Sequence, residues 1–279
     1  MVSEVLTTIY SQHTVYLQRV GATQGNAVIP YLEAIEQDVV DILNKYRKRN
    51  VTVNLQLKIQ EQIDEVARKH LQEYARELKT SNREIGAYEG RFAADTLNGL
   101  VKNDDFDSQA PTASAINTAA IIKPVKLGDT SYTSYTAMMR NYWQKWTNEI
   151  NGIVQAGFTQ GQTMPEITKA ILDQLDLSKS KTTKSVLDRT TRAAKQLAVT
   201  GTNHYANSAR IAFAEENSDL IKGYRFLAVQ DSRTSQRCRS LDQTVWPTDS
   251  SKLSTVTPPL HPNCRSALVY DVDERYSIE

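Results

Sequence analysis

Only 8 prolines and 11 glycines punctuate these 279 residues. A chain with so few breakers cannot be cut into many short strands and turns; it folds as long uninterrupted elements, and its apolar residues must fall at the period of those elements. Over much of the chain that period is helical. Leu6, Ile9, Tyr10, His13, Tyr16, Leu17 and Val20 form one stripe, closed by a turn at Gly21. Ile29, Leu32, Ile35, Val39, Leu43 and Tyr46 form a second, with Lys45, Arg47, Lys48 and Arg49 at its end, where cations suit the helix dipole. Val51, Val53, Leu55, Leu57 and Ile59 alternate strictly, which predicts a short extended lead-in to a helix over about 58–79; another helix follows over about 83–102.

From Asn103 to Ser131 the periodicity lapses, so this stretch is expected to be a linker or an arm. Tyr135, Met139, Tyr142, Trp146, Ile150 and Ile153 make an aromatic stripe suited to a core or to anchoring a partner surface. Thr163-Met164-Pro165-Glu166 combines a capping box with an early proline, a helix start. A long helix is expected over about 184–217, with mostly small residues on one face. Beyond Asn217 the texture changes: Gly223–Val229 and Ala267–Tyr270 read as strands around short polar loops. The expected architecture is mainly α, with long amphipathic helices and a small C-terminal α+β unit. The expected division is a helical region 1–102, a linker or arm 103–131, a helical region 132–183 and a C-terminal domain 184–279.

Composition excludes several classes. The formal net charge is +1, so no global field draws nucleic acid or an anionic membrane, and any such contact is local. No run of 18 apolar residues occurs, and Met1-Val2-Ser3-Glu4 lacks the basic, then apolar, pattern of a signal peptide. Both cysteines, Cys238 and Cys264, lie in the last 42 residues, a usage that fits synthesis in a reducing compartment. One local basic cluster stands out: between Lys179 and Lys195 six cations face a single acid, Asp188. Lys181, Lys184, Arg192 and Lys195 fall on one side and are candidates to contact nucleic acid or an acidic partner, beside the plainer reading of a solvated face.

The most informative residues are two short loops. The first reads Asp231-Ser232-Arg233-Thr234-Ser235-Gln236-Arg237-Cys238, followed by Leu241-Asp242; the second reads Pro258-Pro259-Leu260-His261-Pro262-Asn263-Cys264-Arg265. By chemistry alone they admit four readings: a hydrogen-bonded double loop, a metal site on Cys238, His261 and Cys264, a Cys238–Cys264 disulfide, and a Cys–His nucleophile and base. Of these the hydrogen-bonded, metal-free loop is the expected state. Asp231 would cap backbone amides, Arg233 and Arg265 would pair with Asp231 or Asp242, and Thr234 and Ser235 would complete the first loop. Asp231, Arg233, His261, Cys264 and Arg265 should converge, with the two thiols beneath them.

These loops resemble the phage head morphogenesis family of Mu protein F-like minor head proteins. That family carries Asp-x-Arg-Thr-Cys/Ser-x-x-Cys, then Leu-Asp-Gly, then Pro-Pro-x-His-x-x-Cys-Arg, preceded by a helix whose run here is Val199-Thr200-Gly201-Thr202-Asn203, with Ala206, Asn207 and Arg210 in phase. The resemblance covers about 184–272. Gly201, Ser235, Gln243 and Ser266 depart from it, standing for Glu, Cys, Gly and Cys. The full-cysteine motif would suggest zinc; with Ser235 and Ser266 no cofactor is expected. The resemblance implies a non-enzymatic minor structural protein of a tailed-phage head, made in the host cytoplasm and retained in the virion. It also implies association with the portal protein and a contribution to genome delivery. The amphipathic helices and the 103–131 stretch are expected to contact portal, scaffold or major capsid protein, the Lys179–Lys195 cluster to face packaged DNA or an acidic groove, and no membrane to be met during assembly. The alternatives are a Cys/His hydrolase or nuclease domain and a zinc-stabilised DNA-binding module.

Overall fold

The computed structural model describes residues 2–101, 107–126, 131–175 and 186–276. In chain order the elements are α1 (Val2–Asn26), α2 (Ile29–Tyr46), α3 (Val53–Leu100), α4 (Ala113–Ile122), β1 (Val125–Lys126), β2 (Tyr132–Thr133), α5 (Tyr135–Thr159), α6 (Met164–Leu175), α7 (Val186–Glu216), β3 (Ile221–Leu227), α8 (Gln236–Leu241), β4 (Val245–Pro247), α9 (Leu253–Val256) and β5 (Ala267–Val272). The described residues are 71 % helical, with a small three-stranded antiparallel sheet near the end of the chain, which is the mainly α class expected from its scarcity of breakers.

Several boundaries differ from the sequence reading. The alternating segment 51–59 is not extended: Thr52 Oγ1 accepts the Leu55 N–H at 3.2 Å, and α3 runs unbroken from Val53 to Leu100. Of the five alternating residues only Ile59 is buried, while Val53 and Leu57 are exposed, so the period of two carried no burial. The stripe that matters is Ile59, Ile63, Ala67, Leu71, Tyr74 and Leu78, spaced by three and four. Gly21 makes no turn either. It lies inside α1, where an added Cβ would stand 2.9 Å from the Val199 backbone; the glycine permits close helix approach. The stretch 103–131 holds a helix, α4, capped by Thr112, whose hydroxyl accepts the Ala115 N–H. Its sequence, ASAINTAAII, is short and mostly of small residues, and two of its largest apolar side chains, Ile121 and Ile122, are 75 % exposed, so its apolar residues do not trace the buried face.

The chain packs as two compact units built from separated segments: Met1–Thr23, Lys79–Tyr135 and Gln196–Glu279 in one, Gln24–Leu78 and Thr136–Lys195 in the other. This differs from the sequential division into 1–102, 103–131, 132–183 and 184–279, because long helices carry residues of both units.

In the second unit α2 buries Leu32, Ile35, Val39 and Leu43, and packs on α6, which buries Met164, Ile167, Ile171 and Leu175. The capping box forms as the sequence suggests: Glu166 accepts the Thr163 N–H at 2.7 Å and the Thr163 hydroxyl at 2.8 Å. Trp146 and Ile150 of the aromatic stripe are buried here, and Tyr142 donates its hydroxyl to the Thr190 carbonyl at 2.9 Å.

In the first unit the sheet has the order β4-β3-β5, with Tyr224 opposite Tyr270 and Phe226 opposite Leu268. One core joins sheet and helices: Val2, Leu6 and Tyr10 of α1, Ala93 and Leu97 of α3, Phe213 of α7, and Tyr224, Phe226, Trp246, Leu268 and Tyr270 of the strands. Within it lie charges. Glu89 of α3 accepts from Arg210 of α7 at 2.8 Å, and its other oxygen meets His13 of α1. The Glu89 and Arg210 side chains are 0 % and 1 % exposed. The Arg210 guanidinium lies 4.8 Å from the centre of the Tyr10 ring, and His13 stacks on Phe92 with centroids 3.8 Å apart. Three helices are thus pinned to one another by a single carboxylate.

The α4 segment is held by amide side chains. Asn98 and Ser108 exchange two bonds, Ser108 N–H to Asn98 Oδ1 at 2.8 Å and Asn98 Nδ2 to the Ser108 carbonyl at 3.1 Å. Asn217 does the same for Gln109, at 2.8 and 2.9 Å. His204 of α7 also reaches this segment: its Nε2–H donates to the Ala120 carbonyl of α4 at 2.8 Å. Burial brings the His204 pKa down to about 4, so the imidazole is neutral at pH 7.

Breaking the buried pair leaves an uncompensated charge. Glu89→Ala or Arg210→Ala is expected to cost about 3–5 kcal/mol of unfolding free energy in denaturant titrations. The double variant Glu89→Met/Arg210→Met is expected to lose clearly less than the sum of the two single changes. His204 takes up its proton in the unfolded chain near pH 6.5 but in the folded one only near pH 4. Stability is therefore expected to fall as pH drops through that window, by up to about 3 kcal/mol. His204→Gln is expected to remove that slope, read from melts between pH 7 and 4.

Candidate functional site

The two loops meet in the first unit, on the polar side of α7. Thr200, Asn203 and Asn207 lie three and four residues apart, hence on one helical face. Asn203 Nδ2 donates to the Cys264 and Ser266 carbonyls, both at 2.9 Å. Asn207 Oδ1 accepts the Leu268 N–H at 2.9 Å, and Thr200 Oγ1 accepts the Asn263 N–H at 3.1 Å. Asn207 Nδ2 in turn donates to Asn203 Oδ1 at 2.7 Å, which fixes the orientation of both amides. The sequence reading noted Asn203 and Asn207 without a role; their structural role is to satisfy the backbone of the second loop and the start of β5. A polar i, i+3, i+7 row within a helix face of alanines was the available signal.

Each loop is built locally. In the first, Asp231 accepts the Arg233 N–H at 2.9 Å, and Ser235 N-caps α8 by accepting the Cys238 N–H at 3.2 Å. The Thr234 hydroxyl donates to the Val229 carbonyl. In the second, the Cys264 N–H bonds the His261 carbonyl at 3.1 Å across Pro262 and Asn263, and Asn263 has φ of 60°. Proline then a left-handed Asn is what a type II turn accommodates. Gln243 also has positive φ, 62°, at the place where the resembling family has glycine, the residue that conformation favours.

An ion pair closes one loop over the other. Arg265 grips Asp231 with both terminal nitrogens, Nη1 to Oδ2 at 2.7 Å and Nη2 to Oδ1. The Arg265 hydrogen bond, with the Arg233 amide behind it, holds the Asp231 carboxyl well below the usual carboxylate range. Arg233 meets the same carboxylate as expected, but loosely: its Nε lies 4.0 Å from Asp231 Oδ2 and its side chain is 78 % exposed. Asp242 accepts the Ala228 N–H at 2.8 Å from the C-cap of α8. Among the site residues, then, Asp231 and Arg265 form the charged clasp, and Arg233, Thr234, Ser235 and Asp242 organise backbone.

Beneath the clasp the sulfurs and the imidazole converge. Cys238 Sγ is 3.4 Å from His261 Nε2 and 3.8 Å from Cys264 Sγ, and Ser235 Oγ is 3.1 Å from the same Nε2. Both cysteines are free and buried; His261 is half-buried. His261 Nδ1–H donates to the Pro262 carbonyl at 2.9 Å, which leaves the Nε2 lone pair facing the sulfurs. The hydrogen bond from Cys264, assisted by that of His261, brings the Cys238 thiol down from its ordinary value. The Cys264 thiol is pushed up by the same contact and by burial, and His261 is pushed up by Cys238. Cys238, His261 and Cys264 offer one ligand atom each within 4.8 Å of one another, the one such group among the described residues. The cavity beside them, bounded by Ser235, Cys238, His261 and Arg265, has a volume of about 10 Å³, room for a single water-sized occupant.

Gly201, where the resembling family has Glu, is explained by its neighbours. A Cβ there would lie 2.2 Å from the Tyr135 hydroxyl, which donates to the Leu197 carbonyl at 3.2 Å and accepts from Asn82 at 3.2 Å. Of the basic candidates, Lys181 and Lys184 lie outside the described residues; Arg192 and Lys195 are exposed on α7, and Arg189 pairs with Glu149 at 2.9 Å.

Removing the amide that satisfies two carbonyls should detach the second loop. Asn203→Ala is expected to cost about 1–3 kcal/mol and to raise amide hydrogen exchange over 260–268 selectively, with α2 and α6 unaffected. Equal exchange in variant and wild type would contradict this role.

Comparison with known proteins adds one match. No curated protein and no solved structure matches the chain. A family model does, over residues 148–269, beginning within α5 upstream of the 184 expected from the loops and taking in α6, α7, β3 and both loops. That portion of the chain, which contains the α7 asparagines and the double loop, is similar to the Phage Mu protein F like family.

Proposed function

We propose that this protein is a minor structural component of a tailed-phage head, seated at the portal vertex, acting in head assembly and retained in the virion, where it assists genome delivery. The observation that carries the reading is the family match over 148–269, which takes in the α7 asparagines and both loops. A head morphogenesis role asks for a protein whose chemistry is architectural. The Asn203 staple satisfies loop backbone, and the clasp of Asp231 and Arg265 holds the two loops together. No helix among the described residues is long and apolar enough to cross a membrane.

A Cys/His hydrolase reading takes support from the 3.4 Å Cys238–His261 contact. Against it stand the burial of Cys238, which is 3 % exposed, and a cavity of about 10 Å³ with no room for a peptide or nucleotide. The portal protein is the proposed principal partner. Scaffold or major capsid protein is a further one, and the exposed Arg192 and Lys195 would meet packaged DNA or an acidic protein groove.

Co-expression with the portal protein of the same phage is expected to yield a co-purifying complex by size exclusion. Arg265→Ala is expected to weaken incorporation into particles through loss of the clasp. A chain that elutes alone in the presence of portal, scaffold and major capsid protein would overturn the assignment.

A further inference from the structure

The cluster of Cys238, His261 and Cys264 has the dimensions of a metal site, and this inference is independent of the head-assembly reading. A tetrahedral centre with metal–sulfur bonds of about 2.3 Å and a metal–nitrogen bond of about 2.0 Å sets sulfur and sulfur about 3.8 Å apart, and sulfur and nitrogen about 3.5 Å apart. The protein places Cys238 Sγ 3.8 Å from Cys264 Sγ and 3.4 Å from His261 Nε2. All three ligand atoms lie within 4.8 Å of one another, so a contraction of the third edge by about 1 Å completes the triangle.

The surroundings point the same way. His261 Nδ1–H is held by the Pro262 carbonyl at 2.9 Å, which commits the Nε2 lone pair to the sulfurs, as metal-bound imidazoles are held by an outer carbonyl. The Cys264 backbone is fixed by Asn203, and Cys238 sits on the first turn of a helix capped by Ser235, so neither sulfur is free to wander. The neighbouring cavity of about 10 Å³ suits one small occupant. Disulfide formation would require the sulfurs to close from 3.8 Å to about 2.05 Å.

We propose that Cys238, His261 and Cys264 bind one zinc ion, with a water in the fourth position on the Ser235 side. Two thiolates and an imidazole select a borderline-soft divalent ion over magnesium or calcium. On binding, the two thiols release two protons to solvent and the imidazole contributes its existing lone pair; no oxidant or reductant takes part. Ser235 precedes Cys238 by three residues, the spacing of a Cys-x-x-Cys ligand pair, and its Oγ is 3.1 Å from Nε2. A cysteine at 235 would therefore supply the missing fourth ligand.

The test uses the full-length, untagged chain, reduced and freed of metal. Zn²⁺ titration against a chromophoric chelator is expected to give one equivalent bound, and Co²⁺ to give the visible bands and thiolate charge-transfer absorption of a tetrahedral site. Ser235→Cys is expected to tighten zinc at least tenfold, and Cys264→Ala or His261→Asn to weaken it at least a hundredfold. Should those two variants misfold, alkylation of the wild-type thiols decides: zinc is expected to protect both, and chelation to restore their reactivity. Absence of the cobalt bands with both thiols reduced, unprotected thiols in the presence of zinc, or an affinity unmoved by Ser235→Cys would each overturn the site.

Discussion

The buried carboxylate of Glu89 is the constraint on which the first unit is arranged. A charge with no solvent access is tolerated only when its oxygens are filled, and here Arg210 fills one and His13 the other. Since the three residues come from α3, α7 and α1, satisfying the charge fixes the positions of three helices together. The apolar core that follows, from Leu6 and Tyr10 through Phe213 to Tyr270, gives the free energy; the ion pair restricts which register that core can adopt.

From that frame α7 extends the same logic to the loops. Two turns before Arg210 it presents Asn203 and one turn before it Asn207, whose amides take up the carbonyl and N–H groups that irregular backbone leaves unpaired. The loops can therefore be short, polar and buried at once. A side chain of α7 satisfies the loop, the loop carries Cys264 and Arg265, and Arg265 closes on Asp231. The chain of dependence runs from one buried carboxylate to a sulfur–imidazole cluster about the size of a single ion.

Around the cysteines, Ser235 caps backbone while Arg265 is held by Asp231, and the cavity beside the thiols holds no more than a water or an ion. In small units a metal replaces apolar area as a source of stability, and the proposed zinc ligands sit in the two loops beside the small sheet.

The sequence by itself determined the class of fold, the capped start of α6, the strands β3 and β5, and the pairing of two loops that a family match then extended to 148–269. Each of these rests on local chemistry: a period, a cap, a turn residue, a motif spacing. Tertiary structure alone decided the rest. Glu89 is one acid among many on an amphipathic helix, and nothing nearby in the chain says that Arg210, 121 residues away, will neutralise it. The helix α4 is short and leaves Ile121 and Ile122 in solvent, so its apolar residues mark no buried stripe; Asn98, Asn217 and His204 hold the segment from elsewhere. Arg233 and Arg265 looked equally fit to meet Asp231; Arg265, after the type II turn at Pro262 and Asn263, grips it with both terminal nitrogens, while the largely exposed Arg233 comes only to 4.0 Å. Gly201 read as a departure from a motif and proved to be the space that the Tyr135 hydroxyl needs. Sequence period reports which face is buried; only packing reports which polar groups are buried with it, and their partners are set by distance in space, not along the chain.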